Sequence, residues 1–153
     1  MPNKLKMLQI TRIQQGSFPW RWADISHIRK QVFILEQGVS AADEWDGSDK
    51  TAMHFVLSTP AAPIACARLL QHTDGRHQIG RMAVLKHFRK QGYGRQLMQA
   101  IIDYHLNADK HPSPLFLHAQ LQALDFYKRE GFIEQGEEFL DAEIVHKTMI
   151  YLP

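Results

Sequence analysis

The sequence predicts one mixed α/β (α+β) domain over residues 1–153, built on a mostly antiparallel sheet flanked by helices. Three observations predict it. Segments of alternating apolar residues and segments of helical spacing follow one another in the order β-α-β-β-β-α-β-α-β-β. An Asp74-Gly75 pair, a strong short hairpin signal, joins two of the strands. The 153 residues, 44% of them hydrophobic and 22% charged, suffice for one sizeable core, and no repeat or composition shift marks a second domain.

Taken in order, Leu8 and Ile10 alternate with polar neighbours and predict a first strand over about 5–14. From Trp22 the apolar positions Ile25, Ile28, Val32 and Leu35 repeat at helical spacing, predicting a helix over roughly 20–36. The acidic, glycine-containing stretch 37–50 reads as a solvated loop, whose carboxylates could also draw a cationic amine toward a cleft. Strands are expected near 52–58, 64–72 and 76–85, the first two separated by the Pro60–Pro63 turn. A helix over about 92–107 presents Leu97, Met98, Ile101, Ile102 and His105 on one face. The apolar run Leu115–Ala119 reads as a strand. A helix near 121–130 is stopped by Gly131. Strands near 132–139 and 144–152 close the chain.

Composition narrows the function. A net charge of +2, from 18 basic and 16 acidic residues, is too small to argue for nucleic acid. No run approaches the roughly 18 apolar residues of a membrane span, and no signal-peptide core follows Met1. The single cysteine, Cys66, is expected as a small core residue in a reducing compartment, so the expected location is cytoplasmic. The nine histidines form no HExxH or comparable ligand pattern, and no metal is expected.

The most informative segment runs from Arg81 to Met98: a strand, a basic glycine-containing loop, then the start of an amphipathic helix. Unpaired N–H groups and the positive dipole end at a helix start favour anions. Gly92 and Gly94 allow close backbone approach, and Arg89, Lys90 and Arg95 add counter-charge, so a pyrophosphate fits. The P-loop string GxxxxGK[ST] is absent. The third glycine of the Rossmann fingerprint is replaced by Leu97. Alone, the hexapeptide Arg89-Lys90-Gln91-Gly92-Tyr93-Gly94 reads equally as a basic helix cap with glycines serving a turn.

That hexapeptide matches the R/Q-x-x-G-x-G/A signature of the GNAT acetyltransferases. Downstream, Gln120-x-x-Ala123-x-x-Phe126-Tyr127-x-x-x-Gly131-Phe132 resembles the family's segment in which a helix carries a tyrosine toward the thioester sulfur. Two such motifs in the right order seldom coincide by chance. Val32–Val39, Asp46-Gly47-x-Asp49, His54 and His146-x-x-Met149 look like the ElaA-like bacterial branch, so the resemblance covers nearly the whole chain.

The resemblance implies the GNAT acyl-CoA acyltransferase fold, with a sheet splayed at the coenzyme site. It implies acetyl-CoA as co-substrate and direct transfer of an acetyl group to an amine, the partners being acetyl-CoA and the acceptor, with a homodimer possible through exposed final strands. It assigns the coenzyme to Met82, Ala83, Val84, Arg89, Lys90, Gln91, Gly92, Tyr93, Gly94, Arg95, Gln120 and Tyr127. Backbone N–H groups of Met82–Val84 would form the oxyanion site. Tyr127, protonated at pH 7, would donate to the leaving thiolate, while Phe126 is expected in the core.

Many GNAT enzymes carry a glutamate base on the strand before the loop, where this chain has Gly80. Glu36, Glu44, Asp46, His77 and His118 are the alternatives, with Glu36 favoured as substrate contact or base through water. His118, His146 and His54 are each expected as hydrogen-bonded core histidines, and Arg68 on a solvated sheet face. A weakly basic amine would need no protein base. Two other functions stay open: a non-catalytic acyl-CoA-binding module, and a nucleotide-binding protein using the same loop.

Overall fold

The computed structural model describes residues 9–13, 21–108 and 113–153. The expected order is present. β1 (Gln9–Ile13) and α1 (Trp22–Arg29) come first, and α1 continues as a π-helical stretch, Lys30–Glu36. Then follow α2 (Ala41–Glu44), β2 (Met53–Ser58), β3 (Pro63–Gln71), β4 (His77–Val84), α3 (Tyr93–Asn107), β5 (Leu115–Gln120), α4 (Leu124–Arg129), β6 (Phe132–Asp141) and β7 (Ile144–Tyr151). The predicted first strand and first helix extend in part beyond the described residues. The single helix expected over 20–36 is α-helical only to Arg29, after which the winding widens.

Seven strands form one sheet in the order β1-β2-β3-β4-β5-β7-β6. All neighbours are antiparallel except β4 and β5, which run parallel. Strand alternation assigns the two faces. Phe55, Leu57, Leu69, Ile79, Leu117 and Met149 point to one face and pack with Leu97, Met98 and Ile101 of α3. Cys66 and Ala83 point to the other, where they meet Ile28, Val32 and Phe33. Cys66 is buried as expected, and burial pushes its thiol up to about 12, so it is unreactive. No helix of the described residues is long and apolar enough to cross a membrane.

Two irregularities shape the middle of the sheet. β4 pairs with β5 only through His77↔Leu115, Gln78↔Phe116 and Ile79↔Leu117, after which the strands part. Opposite β3, Arg68 pairs with Gly80 and Cys66 with Ala83, so Arg81 and Met82 together face Ala67 in a bulge. Arg81 sits there with φ +51°, a left-handed backbone costly for a non-glycine residue that its braced side chain helps to hold.

That brace corrects two expectations. Arg68 lies not on a solvated face but buried, and the stretch 37–50 is not simply solvated, since Glu44 and Asp49 are buried too. Arg29 donates from Nε to Glu44 Oε1 and from Nη1 to Asp49 Oδ1, both at 2.6 Å. Arg68 reaches both oxygens of Asp46, at 2.6 and 2.9 Å, and Asp49 Oδ1 at 3.1 Å. Arg81 completes the set with Glu44 Oε2 at 3.2 Å and Asp46 Oδ2 at 3.1 Å. Three guanidinium and three carboxylate groups thus neutralise one another, the condition for burying charge without a large penalty. They fasten the 41–50 segment to β3, β4 and α1.

Candidate active site

Where β4 and β5 part, a cleft of about 980 Å³ opens between them, within the usual range for small-molecule sites. Its floor on one side is β4 from Gln78 to Val84, beyond Ile79 without a strand partner on the β5 side. Backbone groups aimed into the gap are therefore free of the ladder. On the other side stand His118 and Gln120 of β5. α3 and α4 supply the rim.

The loop before α3 adopts the geometry expected of an anion site. Gly92 is the N-cap of the 15-residue α3 with φ +84°, and Lys90 is also left-handed at φ +61°. Left-handed residues at alternate positions turn neighbouring backbone N–H groups toward one concave side, where the helix dipole adds positive potential. Gly94 lies against the far wall: a Cβ there would meet Phe126 Cζ at 3.5 Å and Val84 Cγ2 at 3.6 Å. Phe126, expected in the core, instead packs at the core's edge and lines the cleft.

The residues singled out from sequence separate into three groups. Met82, Ala83, Val84, Lys90, Gly92 and Tyr93 line the cleft together, as do Gly94, Arg95, Gln120 and Tyr127. Burial pushes the Tyr127 phenol up to about 12, which keeps it protonated across the neutral range. Gln91 lies outside, its amide on His87 O at 3.1 Å. Arg89 reaches the cleft, yet its guanidinium is engaged: Nε donates to Val84 O at 2.9 Å, and the two terminal nitrogens donate to Glu36 at 2.5 and 2.8 Å.

Glu36 is accordingly turned to Arg89, and it is not among the cleft-lining residues. The Arg89 hydrogen bonds, outweighing slight burial, hold its carboxyl below the ordinary range, which weakens it as a base. Glu44 does line the cleft, but both its oxygens are engaged by Arg29 and Arg81. Asp46 is likewise occupied by Arg68 and Arg81. His77 faces Ser113 and His105 rather than the cleft.

The histidines diverge from the expectation that all three are core residues. His54 is buried, with Nε2 2.8 Å from Asp49 O. His118 is exposed and His146 half-buried, and both line the cleft. Period-2 alternation on β5 was the available signal, since it sets His118 opposite Leu117 and Ala119. Asp43, of the acidic stretch whose carboxylates could draw an amine, does line the cleft, whereas Gln37, which accepts from Gln120 Nε2 at 2.8 Å, and Gln78, Arg129 and Asp141 carried no local signature.

A parallel strand pair that opens beside a glycine-rich helix start is the arrangement that the GNAT resemblance implies for an acyltransferase, and comparison with known proteins agrees. The acetyltransferase (GNAT) domain family matches residues 25–152. The chain belongs to that family. It is 35% identical over 128 residues to the uncharacterized N-acetyltransferase YjcF of Bacillus subtilis, covering 83% of this chain and 89% of that protein. The crystal structure of Escherichia coli ElaA superposes with TM-score 0.83 at 26% identity, over 95% of this chain and all of that one (100%). An acyl-CoA N-acyltransferase from Pseudomonas aeruginosa gives TM-score 0.81 at 26% identity, over 94% of this chain and 99% of that one. The resemblance to the GNAT family and its ElaA-like branch, and the fold it implied, are thereby borne out.

Proposed function

We propose that the protein transfers an acetyl group from acetyl-CoA directly to an amine. The observation that carries this reading is the coincidence, in one cleft, of the unpaired half of β4, the left-handed Lys90–Gly92 loop and Tyr127. The pyrophosphate would rest on the N–H groups opening α3, with Lys90 and Arg95 as counter-charges. Arg89 would act mainly by bracing the loop, since its guanidinium is shared between Val84 O and Glu36. The pantetheine arm would then lie along β4 and replace the missing ladder. Free N–H groups of Met82–Val84 would meet the tetrahedral oxyanion as it forms. Tyr127, neutral and half-buried, would protonate the departing thiolate.

Calorimetric titration with acetyl-CoA tests the coenzyme site. Micromolar binding is expected, lost in an Arg89→Ala, Gly92→Ala, Gly94→Ala triple variant. No binding by the wild type would end the reading. Tyr127→Phe separates catalysis from binding: thiol release should fall about 10²-fold with unchanged acetyl-CoA affinity. Full activity of that variant would remove the proton-donor role.

A second reading, a non-catalytic acyl-CoA-binding module, draws on Gly80 and on the engaged carboxylates of Glu36 and Glu44. Binding without thiol release over a broad amine panel would favour it. The remainder of the proposal is a cytoplasmic location, consistent with the single unpaired thiol of Cys66, and a homodimer. Ile133 and Leu140 on edge strand β6 are 45% and 71% exposed and fit such a contact, which sedimentation would detect.

A further inference from the structure

β4 and β5 stop pairing at Ile79↔Leu117, so the next residues, Gly80 and His118, are the first to face each other across the opening. Leu115, Leu117 and Ala119 point into the α3-side core, which leaves His118 on the opposite face, toward α1 and its π-helical continuation. Gly80 contributes no side chain there. His118 therefore stands at the apex of the cleft on its β5 side.

Its ring is held rather than loose. Phe139 meets it edge-on at 4.8 Å between centroids, and Phe116 lies tilted at 5.7 Å. Gln78 Nε2 stands 3.4 Å from Nδ1, while Gln78 Oε1 stands 2.8 Å from His72 Nε2. Turning this amide by 180° exchanges the two roles without moving a heavy atom. With the oxygen toward His118, Nδ1 carries the proton and the Nε2 lone pair is left free on a residue that lines the cleft. Partial desolvation beside Phe116 and Phe139 lowers the imidazole's proton affinity although the residue keeps an exposed edge, and His146, His72 and Arg76 add to the effect, with Asp141 opposing it. These influences favour the neutral ring.

Resting on the acetyl-transfer reading above, we propose that His118 is the general base that deprotonates the acceptor ammonium. Its Nε2 takes one proton from the ammonium. The neutral amine's lone pair then attacks the thioester carbonyl carbon, the C–N bond forms and the C–S bond breaks. The thiolate takes its proton from Tyr127, and the imidazolium releases its own to solvent. The site is consequently one for protonated alkyl amines, which need such a base.

The test compares wild type and His118→Gln with two probe acceptors, benzylamine, an ammonium at neutral pH, and aniline, already neutral there. Acetyl-CoA affinity should be unchanged in the variant. kcat/KM for benzylamine should fall about 10²-fold, and its wild-type rise with pH up to a plateau below neutrality should vanish. Aniline turnover should change little, a split that a merely structural role would not produce. Equal losses on both probes, or a retained acidic limb, overturn the proposal. A second measurement needs no acceptor: NMR titration of histidine-labelled protein loaded with acetyl-CoA, with His118 assigned by its loss in the variant. An Nε2 that is unprotonated at pH 7 supports the proposal, and an imidazolium or an Nε2–H tautomer there overturns it even if neither probe is acetylated. Absence of acetyl-CoA binding in the wild type would instead sink the acetyl-transfer reading itself.

Discussion

At the scale of single residues, the buried charge network under the cleft sets the sharpest expectations. Arg29 is 1% exposed and holds Glu44 and Asp49. Arg29→Met removes the charge but keeps most of the volume, leaving two buried carboxylates to share Arg68 and Arg81. The expected loss is about 3–5 kcal/mol, because desolvated carboxylates lose a partner without regaining water. Urea denaturation with an unchanged m-value would show it, and a shift under about 1 kcal/mol would mean that water enters the network. Asp46 gives the pH dependence. Hydrogen bonds from Arg68, outweighing burial, hold its carboxyl well below the ordinary range. A folded pKa below the unfolded one contributes stability that is complete above about pH 4 and lost as pH falls through the folded value. Glu44 acts with the opposite sign, since burial outweighs its arginines and raises its pKa. Asp46→Asn should therefore flatten the acid side of a stability–pH profile, and an unaltered profile would show that Asp46 is not the group responsible.

At the scale of elements, the loop between β4 and α3 separates what backbone chemistry decides from what packing decides. Gly92 needs φ +84°, so Gly92→Ala should cost about 1–2 kcal/mol in thermal stability besides weakening acetyl-CoA binding. A Cβ at Gly94 would find Phe126 and Val84 at ordinary contact distance, so Gly94→Ala should melt near the wild type. Equal melting losses would refute the distinction. Arg89 and Glu36 should behave as one brace: either alanine variant weakens coenzyme binding, and the double variant little more than one alone. Additive losses would mean that Arg89 also contacts the ligand. The glycines and the helix start were legible in sequence because they are local, lying within six residues of one another. The Arg89–Glu36 pair was not, since the partners are 53 residues apart and meet only once the π-helical stretch packs on β4. The same holds for the 41–50 segment. Its carboxylates read as solvated because their partners, Arg29, Arg68 and Arg81, come from three separate elements. His118 was misread as a core residue for a different reason. A histidine is compatible with either face of a strand, and only the parting of β4 from β5 opens one of them to the cleft.

At the scale of the whole molecule, the sheet is continuous from β1 to β6 but hinges on three paired positions between β4 and β5. That junction pairs three positions, where the other strand neighbours pair five to seven among the described residues. A coenzyme lying along β4 would supply main-chain partners for the backbone that β5 leaves unpaired. It would thus complete the sheet as well as occupy the cleft. At a ligand concentration of 100 times Kd, linkage alone adds about 2.7 kcal/mol of stability. A uniform gain would slow amide exchange everywhere that opens by global unfolding. The sheet geometry predicts an additional local effect, since those amides of residues 80–84 that point away from β3 face the unpaired side and exchange by small openings in the free protein. Hydrogen exchange with and without acetyl-CoA should therefore show the largest increase in protection over 80–84 and the start of α3, with β1 and β2 changing only by the global amount. Uniform protection, with no excess at β4, would mean that the ligand binds elsewhere than along the opened strand, and would withdraw the β4 placement while leaving the family and fold intact.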